Sequence, residues 1–188
     1  MSTSNPKSAK RAIRRRSFLG TSLAVGGVIF VMVAIAQSAL AQNTALVQNS
    51  PLAQNLVRFG EGIGVIPTGS TNTTVRGVVA AGQIWVIQDL AADVKQDGRI
   101  RLNGRGLLLG SGNAVGSNAN QSVFATLFCA NDGNVQHSSN LAGVPLEVDG
   151  DFRIDETLSP APPNPCTSPV LLIRSAGSGA WFAAGIPR

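Results

Sequence analysis

Short runs in which apolar and polar side chains alternate restrict the fold of this chain more than any other feature. The clearest run is residues 99–105, where Ile100 and Leu102 share one face. The opposite face carries three arginines, Arg99, Arg101 and Arg105. Successive side chains of a β-strand point to opposite sides, so the pattern indicates a strand that is buried on one face. Asp97 and Gly98 directly precede it and form a typical hairpin turn pair.

Similar short runs follow one another along the chain at spacings near ten residues. They cover residues 75–80, 84–87, 107–109, 122–129, 134–138, 144–148, 152–158, 170–174 and 181–186. No stretch after Gly60 has a helical period with capping residues. We therefore predict an all-β domain over residues 74–188, an antiparallel β-sandwich of about eight strands with an immunoglobulin-like or Greek-key connection.

The segment before this domain has a different composition. Residues 42–73 are rich in Gln, Asn, Ser, Thr and Gly, and their apolar residues follow no sustained period. Such composition is typical of linkers and loops. We predict a polar low-complexity tail or linker, with one short strand at most around residues 63–66.

The first 41 residues have the layout of an export signal. Basic residues are followed by an uncharged apolar stretch from Phe18 to Ala36, and residues 39–41 form a small-x-small cleavage site. We predict cleavage after Ala41 and a secreted or periplasmic location. The apolar stretch has 19 residues, within the ~17–25 that span a bilayer, so an uncleaved N-terminal membrane anchor is the alternative.

Residues 15–19 resemble a twin-arginine signal, whose core is R-R-x-F-L. Arg15, Arg16, Phe18 and Leu19 occupy the four specified positions. The resemblance implies a bacterial protein that passes folded through the twin-arginine (Tat) translocase. An ordinary secretory signal that is rich in arginine is the alternative.

The net charge of the exported part differs from that of the whole chain. The chain has 15 Lys and Arg against ten Asp and Glu, but six of the basic residues lie in the leader and all ten acidic residues follow it. From Gln42 onward, nine basic residues face ten acidic ones, which gives a net charge of −1. Nucleic-acid binding needs a clustered basic surface, so we predict no nucleic-acid partner.

The two cysteines, Cys129 and Cys166, both lie in the exported part. An isolated pair in an oxidising compartment most simply forms one disulfide. The alternative, a pair of metal ligands, lacks partners, because His137 is the only histidine of the chain. We predict the disulfide, and neither a metal nor a cofactor.

Two groups of residues are candidates for catalysis. His137 stands between Asp132 and two serines, Ser138 and Ser139, but no G-x-S-x-G nucleophile motif accompanies it. The other group is an acidic cluster of Glu147, Asp149, Asp151, Asp155 and Glu156. Two carboxylates facing each other across a cleft could serve a glycosidase, yet a solvated hairpin accounts for the cluster as well. We predict no catalytic residues. A small secreted hydrolase that uses residues 147–156 or His137 is the alternative.

Three segments together resemble a loose group of uncharacterised secreted bacterial proteins with one presumed disulfide. They are residues 105–109, the run 124–129 that ends in Cys129, and the closing stretch 166–184. The similarity covers about residues 84–186 and implies an exported small β domain without a known activity.

The resulting functional prediction is a non-enzymatic structural or binding module of the cell envelope or the extracellular space. Its partner would be a protein or a glycan. Arginine side chains match carboxylates well, so the stripe of Arg99, Arg101 and Arg105 is the candidate binding surface. We expect Trp85 and Trp181 to anchor the core.

The export signal can be tested by changing Arg15 and Arg16 together to lysine in a bacterial host. We expect the variant to stay in the cytoplasm, because the twin-arginine route depends on these two guanidinium groups. Cell fractionation and immunoblotting measure the result. Export of the variant at the wild-type level would contradict the twin-arginine interpretation and favour the ordinary secretory signal.

Overall fold

The computed structural model describes residues 53–68 and 73–188 of the chain. Outside these residues lie the predicted signal motif and cleavage position, Arg15, Arg16, Phe18, Leu19 and Ala41. The described residues contain one short helix, the 3₁₀ turn Ala130–Asp132, and otherwise β-strands. In chain order the strands are β1 Asn55–Gly64, β2 Thr74–Val75, β3 Val78–Val79, β4 Trp85–Val86, β5 Asp89–Lys95, β6 Arg99–Arg105, β7 Leu108–Leu109, β8 Ser122–Phe128, β9 His137–Ser138, β10 Val144–Pro145, β11 Phe152–Thr157, β12 Val170–Ser175 and β13 Trp181–Pro187.

Eight strands follow one continuous path in the order β10-β8-β12-β13-β1-β5-β6-β11, and β9 also pairs with β8. All these pairs are antiparallel. Two small antiparallel pairs stand apart from the path: the hairpin β2–β3, and β4–β7, whose strands flank β5 and β6 in the chain. The predicted all-β, antiparallel fold with one disulfide is confirmed. Within residues 53–68 and 73–188, no helix is both long and apolar enough to cross a membrane.

The sheet curls until its two ends approach each other. β10 and β11 stand at opposite ends of the path, yet a tight turn joins them, closed by a hydrogen bond from Glu147 N to Asp151 O of 2.9 Å. At the other end of β11, Ser138 and Ser159 exchange two backbone hydrogen bonds of 3.0 and 2.8 Å. The segment from β9 to β10 therefore lies between β8 and β11 and covers the outer edge of β8.

The alternation predicted for residues 99–105 is confirmed on β6. Ile100 and Leu102 are fully buried, and the three arginines of the strand are exposed. Strands β5 and β11 on either side repeat the pattern, and their inward residues complete one apolar face. Fully buried side chains that fill the interior include Leu90, Leu107, Leu127, Phe128, Leu171, Leu172 and Ile173. Consecutive residues such as Leu171 and Leu172 point to opposite faces of β12 and are both buried, so the core fills the inside of the curl and extends to the other face of the sheet at β8 and β12.

Strand β1 corrects the domain boundary. It lies between β13 and β5 in the sheet, although the sequence pattern assigned residues 42–73 to a tail. The boundary therefore moves from residue 74 to Asn55 or earlier, and the strand expected at 63–66 proves to be the end of a ten-residue strand. The glycines of β1 obscured its alternation of apolar and polar side chains. At Gly64, a Cβ atom would collide with the backbone carbonyl of Trp85. Close packing therefore requires glycine there, and glycine weakens the apolar pattern by which a strand is recognised.

A matched pair of substitutions in β1 tests its role. Phe59 is 2% exposed and Ile63 is 59% exposed on the same strand. We expect Phe59→Ala to lower the free energy of unfolding by about 3–5 kcal/mol, because it empties a core position. Ile63→Ala should change it by less than about 0.5 kcal/mol. Urea unfolding measures both, and equal small effects would show that β1 contributes nothing to the core.

Candidate functional site

An apolar cleft with a volume of about 530 Å³ opens on the described surface. We call it the aromatic cleft, because Trp85 and Phe182 lie at its base. Its other lining residues are mostly small or polar: Ala81, Gly82, Gln83, Leu109, Ala119, Gln121, Ser175, Gly177, Ser178 and Ala180. Small side chains around a large aromatic base leave the space open.

The two aromatic rings are held in place by the backbone around them. Trp85 N donates to Val65 O at 3.0 Å, and Val65 N donates to Phe182 O at 2.9 Å. Residue 65, at the end of β1, thereby connects β4 to β13. The rings stack with centroids 4.1 Å apart and planes 17° from parallel. Trp85, Trp181 and Phe182 are each only 4–6% exposed. The two tryptophans are therefore core anchors, as expected.

One wall of the aromatic cleft is the turn between β12 and β13. Arg174 fixes this turn, because its Nε donates to Gly179 O at 2.8 Å and its guanidinium lies 5.0 Å from the Phe124 ring centre. Partial burial lowers the pKa of Arg174 from its ordinary value. Ser175 Oγ donates a hydrogen bond to Gln121 Oε1 at 2.9 Å, because an amide oxygen can only accept. The wall is therefore well supported, and polar groups of the amide and hydroxyl type stand at its rim.

A second, polar cleft of about 580 Å³ opens beside the turn between β10 and β11. Its charged lining residues are Asp89, Arg105, Glu147, Asp151 and Arg153. Of the predicted acidic cluster, Glu147 and Asp151 line this cleft, and Asp149, Asp155 and Glu156 do not. Asp151 is also held by structure, since its Oδ1 accepts the Gly106 amide at 3.0 Å.

The remaining acidic residues of the predicted cluster have other partners. Asp155 pairs with Arg101 at 3.5 Å and with Arg153 at 3.7 Å. Glu156 accepts the Asn140 amide at 2.6 Å, and Asp149 accepts the amide of residue 151 at 3.2 Å inside the turn. The cluster thus serves mainly to close turns and to pair with arginines.

The arginine stripe is exposed as predicted, and its members have separate surroundings. Arg99 pairs with Asp97 at 2.8 Å, and its backbone amide, 3.1 Å from Asp97 Oδ1, holds the pKa of that carboxyl below its ordinary value. Arg101 pairs across the sheet with Asp155 on β11. Arg105 lines the polar cleft. The stripe stays a predicted binding surface.

His137 is buried, with 3% of its side chain exposed. Its Nδ1 lies 2.8 Å from Pro160 O and its Nε2 lies 2.5 Å from Asp132 Oδ2. A backbone carbonyl only accepts hydrogen bonds, so Nδ1 is the donor there. The neighbouring serine hydroxyls are used elsewhere: Ser138 Oγ bonds to Thr126 at 2.9 Å, and the Oγ of residue 139 accepts the amide of residue 125 at 3.0 Å. The imidazole therefore joins a carboxylate and a carbonyl, in the arrangement of a structural cross-link.

The disulfide between Cys129 and Cys166 is present, with Cα atoms 5.0 Å apart. It lies against the buried histidine. One donor atom each of Cys129, Asp132 and His137 lies within 4.8 Å of the others. We did not predict this contact, because His137 is the one further thiol or imidazole ligand in the sequence and carboxylates were not counted. The spacing C-x₂-D-x₄-H on the 3₁₀ turn and β9 was the available signal.

Comparison with known proteins assigns no family to this chain. No family model matches it, and neither the curated proteins nor the solved structures include a match. The resemblance to secreted bacterial β-domain proteins and to a twin-arginine leader therefore stays a prediction. The contacts of the described residues are the basis for a functional proposal.

The contribution of the disulfide can be measured by replacing both cysteines with alanine. The bond joins residues 37 positions apart, and a loop of that length should make it worth about 4 kcal/mol through the entropy of the unfolded chain. Urea unfolding of the variant and the oxidised wild type gives the difference. A loss below about 1 kcal/mol would contradict the expectation and assign the stability of this region to its hydrogen bonds.

Proposed function

We propose that the protein is an exported, non-enzymatic binding module whose ligand site is the aromatic cleft. The cleft itself, about 530 Å³ over a stacked pair of rings, carries the proposal. Cavities of several hundred cubic ångströms that combine an apolar base with a few polar groups are the usual sites for small molecules in proteins. The disulfide supports the compartment, since such bonds persist in oxidising surroundings outside the cytoplasm.

The chemistry of the lining indicates the class of ligand. The base is apolar, and the polar groups are the amides of Gln83 and Gln121 and the hydroxyl of Ser178. Within the described part of the chain, no acidic or basic side chain lines this cleft. The matching ligand is a compact, uncharged or weakly polar organic molecule with an apolar ring or short alkyl part and one hydrogen-bonding group.

Binding would require little rearrangement of the protein. The aromatic base is fixed by backbone hydrogen bonds on both sides of Val65, and the Arg174 contact supports the wall. A site that is formed before the ligand arrives avoids the entropy of ordering loops, so more of the contact energy appears as affinity. A binding role thus agrees with the rigidity of the strands that bear the cleft.

The polar cleft favours the second candidate, a small secreted hydrolase. Glu147 and Asp151 share it with Asp89, so three carboxylates border one opening. Arg105 and Arg153 border the same cleft and bring positive charge to it. His137 does not line the polar cleft and bonds to Asp132 elsewhere, so it is not part of that candidate site. Turnover of a polysaccharide that is lost in Glu147→Gln would favour the hydrolase.

The aromatic cleft can be tested with the probe 1-anilinonaphthalene-8-sulfonate, whose fluorescence rises in apolar sites. We expect saturable binding of one probe per folded chain. Ala180→Phe places a ring among the lining residues and should weaken the affinity at least about tenfold, or about 1.4 kcal/mol. Fluorescence titration measures the affinity, and near-UV circular dichroism shows that each sample is folded.

Ala161→Phe is the matched control, because Ala161 is exposed in the proline-rich loop between β11 and β12. It adds the same ring away from the cleft and should bind like the wild type. Equal affinity of the two phenylalanine variants would refute the assignment of the site. So would probe binding that appears only after the near-UV signal of the tryptophans is lost.

A further inference from the structure

The two segments that carry the cysteines are held together by more than the disulfide. Ala130 N donates to Thr167 O at 2.7 Å. The side chain of Asn131 donates to Pro165 O at 2.8 Å and accepts the Thr167 amide at 3.1 Å. The pairing of β8 with β12 reaches Phe128 and Val170, next to these bonds on both segments. The two sulfur atoms would therefore remain neighbours after the bond between them is broken.

Four donor atoms of the right kind for one metal ion converge here. The donors of Cys129, Asp132 and His137 lie within 4.8 Å of one another, and Cys166 is bonded to the first of them. We call these four residues the redox cluster. In tetrahedral Zn²⁺ sites, bonds of about 2.0–2.3 Å place neighbouring donors roughly 3.3–3.8 Å apart. The cluster needs only small displacements, and Asp132 can make them because it lies half-buried in a short turn.

The histidine is already oriented as a metal ligand. Its Nδ1 donates to Pro160 O, and its Nε2 points to the Asp132 carboxylate. Histidines that bind metals usually donate the other ring nitrogen to a carbonyl or carboxylate in this way, which fixes the ring and its tautomer. Pairing of β9 with β8 fixes the backbone on which this ring stands.

We propose that reduction of the disulfide converts the redox cluster into a Zn²⁺ site. A dithiol donates two electrons and two protons, the Sγ–Sγ bond breaks, two thiols form, and the donor becomes a disulfide. Zn²⁺ then binds both sulfurs as thiolates, with Nε2 of His137 and one oxygen of Asp132. The two thiol protons and the proton shared between Nε2 and the carboxylate leave to solvent. Two thiolates, an imidazole and a carboxylate form a ligand set that suits zinc.

The proposal gives one region two alternative cross-links. The disulfide joins the end of β8 to the start of β12 under oxidising conditions, and zinc would join the same segments in a reducing compartment. Because the cluster is largely buried, the metal would displace few waters and bind in a site closed to solvent. The aromatic cleft contains none of the four residues of the redox cluster, so the two proposals can be tested separately.

Co²⁺ is the probe for the test, since thiolate-bound tetrahedral Co²⁺ absorbs in the near-ultraviolet and visible ranges. The full chain is titrated with Co²⁺ and then Zn²⁺, once oxidised and once reduced with a phosphine. Residues 1–52 contain no Cys, His, Asp or Glu that could compete. We expect one Co²⁺ per reduced chain with a thiolate-to-cobalt charge-transfer band, displacement by Zn²⁺, and no such band in the oxidised chain.

Asp132→Asn should weaken Zn²⁺ binding by the reduced chain at least about tenfold. Asp149→Asn, the same change in an exposed turn, is the control and should bind like the wild type. Equal affinities of the two variants, or a reduced chain without the charge-transfer band, would overturn the proposal. If reduction unfolds the chain, Zn²⁺ must restore the near-UV circular dichroism of the tryptophans; failure to do so would overturn it as well.

Discussion

The structure depends on one constraint: its apolar sheet face has to cover itself. In the described part of the chain the only helix is a single 3₁₀ turn, Ala130–Asp132, which is too short to cover a sheet. Strands such as β6 are buried on one face and exposed on the other, so the sheet has to curl to remove the apolar face from water. Each large apolar side chain that is fully buried on a strand contributes roughly 1.5–3 kcal/mol to this closure. The position of every other element follows from how the curl is completed.

Closure leaves two regions that the long strands do not complete, and the redox cluster and the aromatic cleft lie there. Along the outer edge of β8, the segment from β9 to β10 fills the space toward β11, with Ser138 and Ser159 as the point of contact. That segment buries His137 against the turn that follows the Cys129 strand. At another margin, the antiparallel pair β4–β7 and the turn before β13 line the aromatic cleft. Chemistry-bearing residues thus collect where the sheet is irregular, as expected for segments freed from regular strand pairing.

The sequence predicted the parts of this fold that depend on local period, and it failed where distant segments meet. The alternation at Ile100 and Leu102 marked β6 correctly because side-chain direction within a strand is a local property. β1 was missed because its glycines are required by neighbours such as Trp85, over twenty residues away in the chain. The disulfide was predictable from residue count and compartment. The contact of Cys129 with Asp132 and His137 was not, because it needs the bend of the 3₁₀ turn and the pairing of β9.

The position of β13 between β1 and β12 has a consequence for how the chain is made. β1 is synthesised first of the described strands and β13 last. They pair antiparallel from Gly64 and Ala183 to Phe59 and Pro187, with a shift of register between Phe59 and Glu61. Until β13 emerges from the ribosome, β1 and β12 each lack a neighbour and expose an open edge. Such edges can pair with other chains. A growing chain can therefore associate with others along these two edges until β13 pairs with both strands.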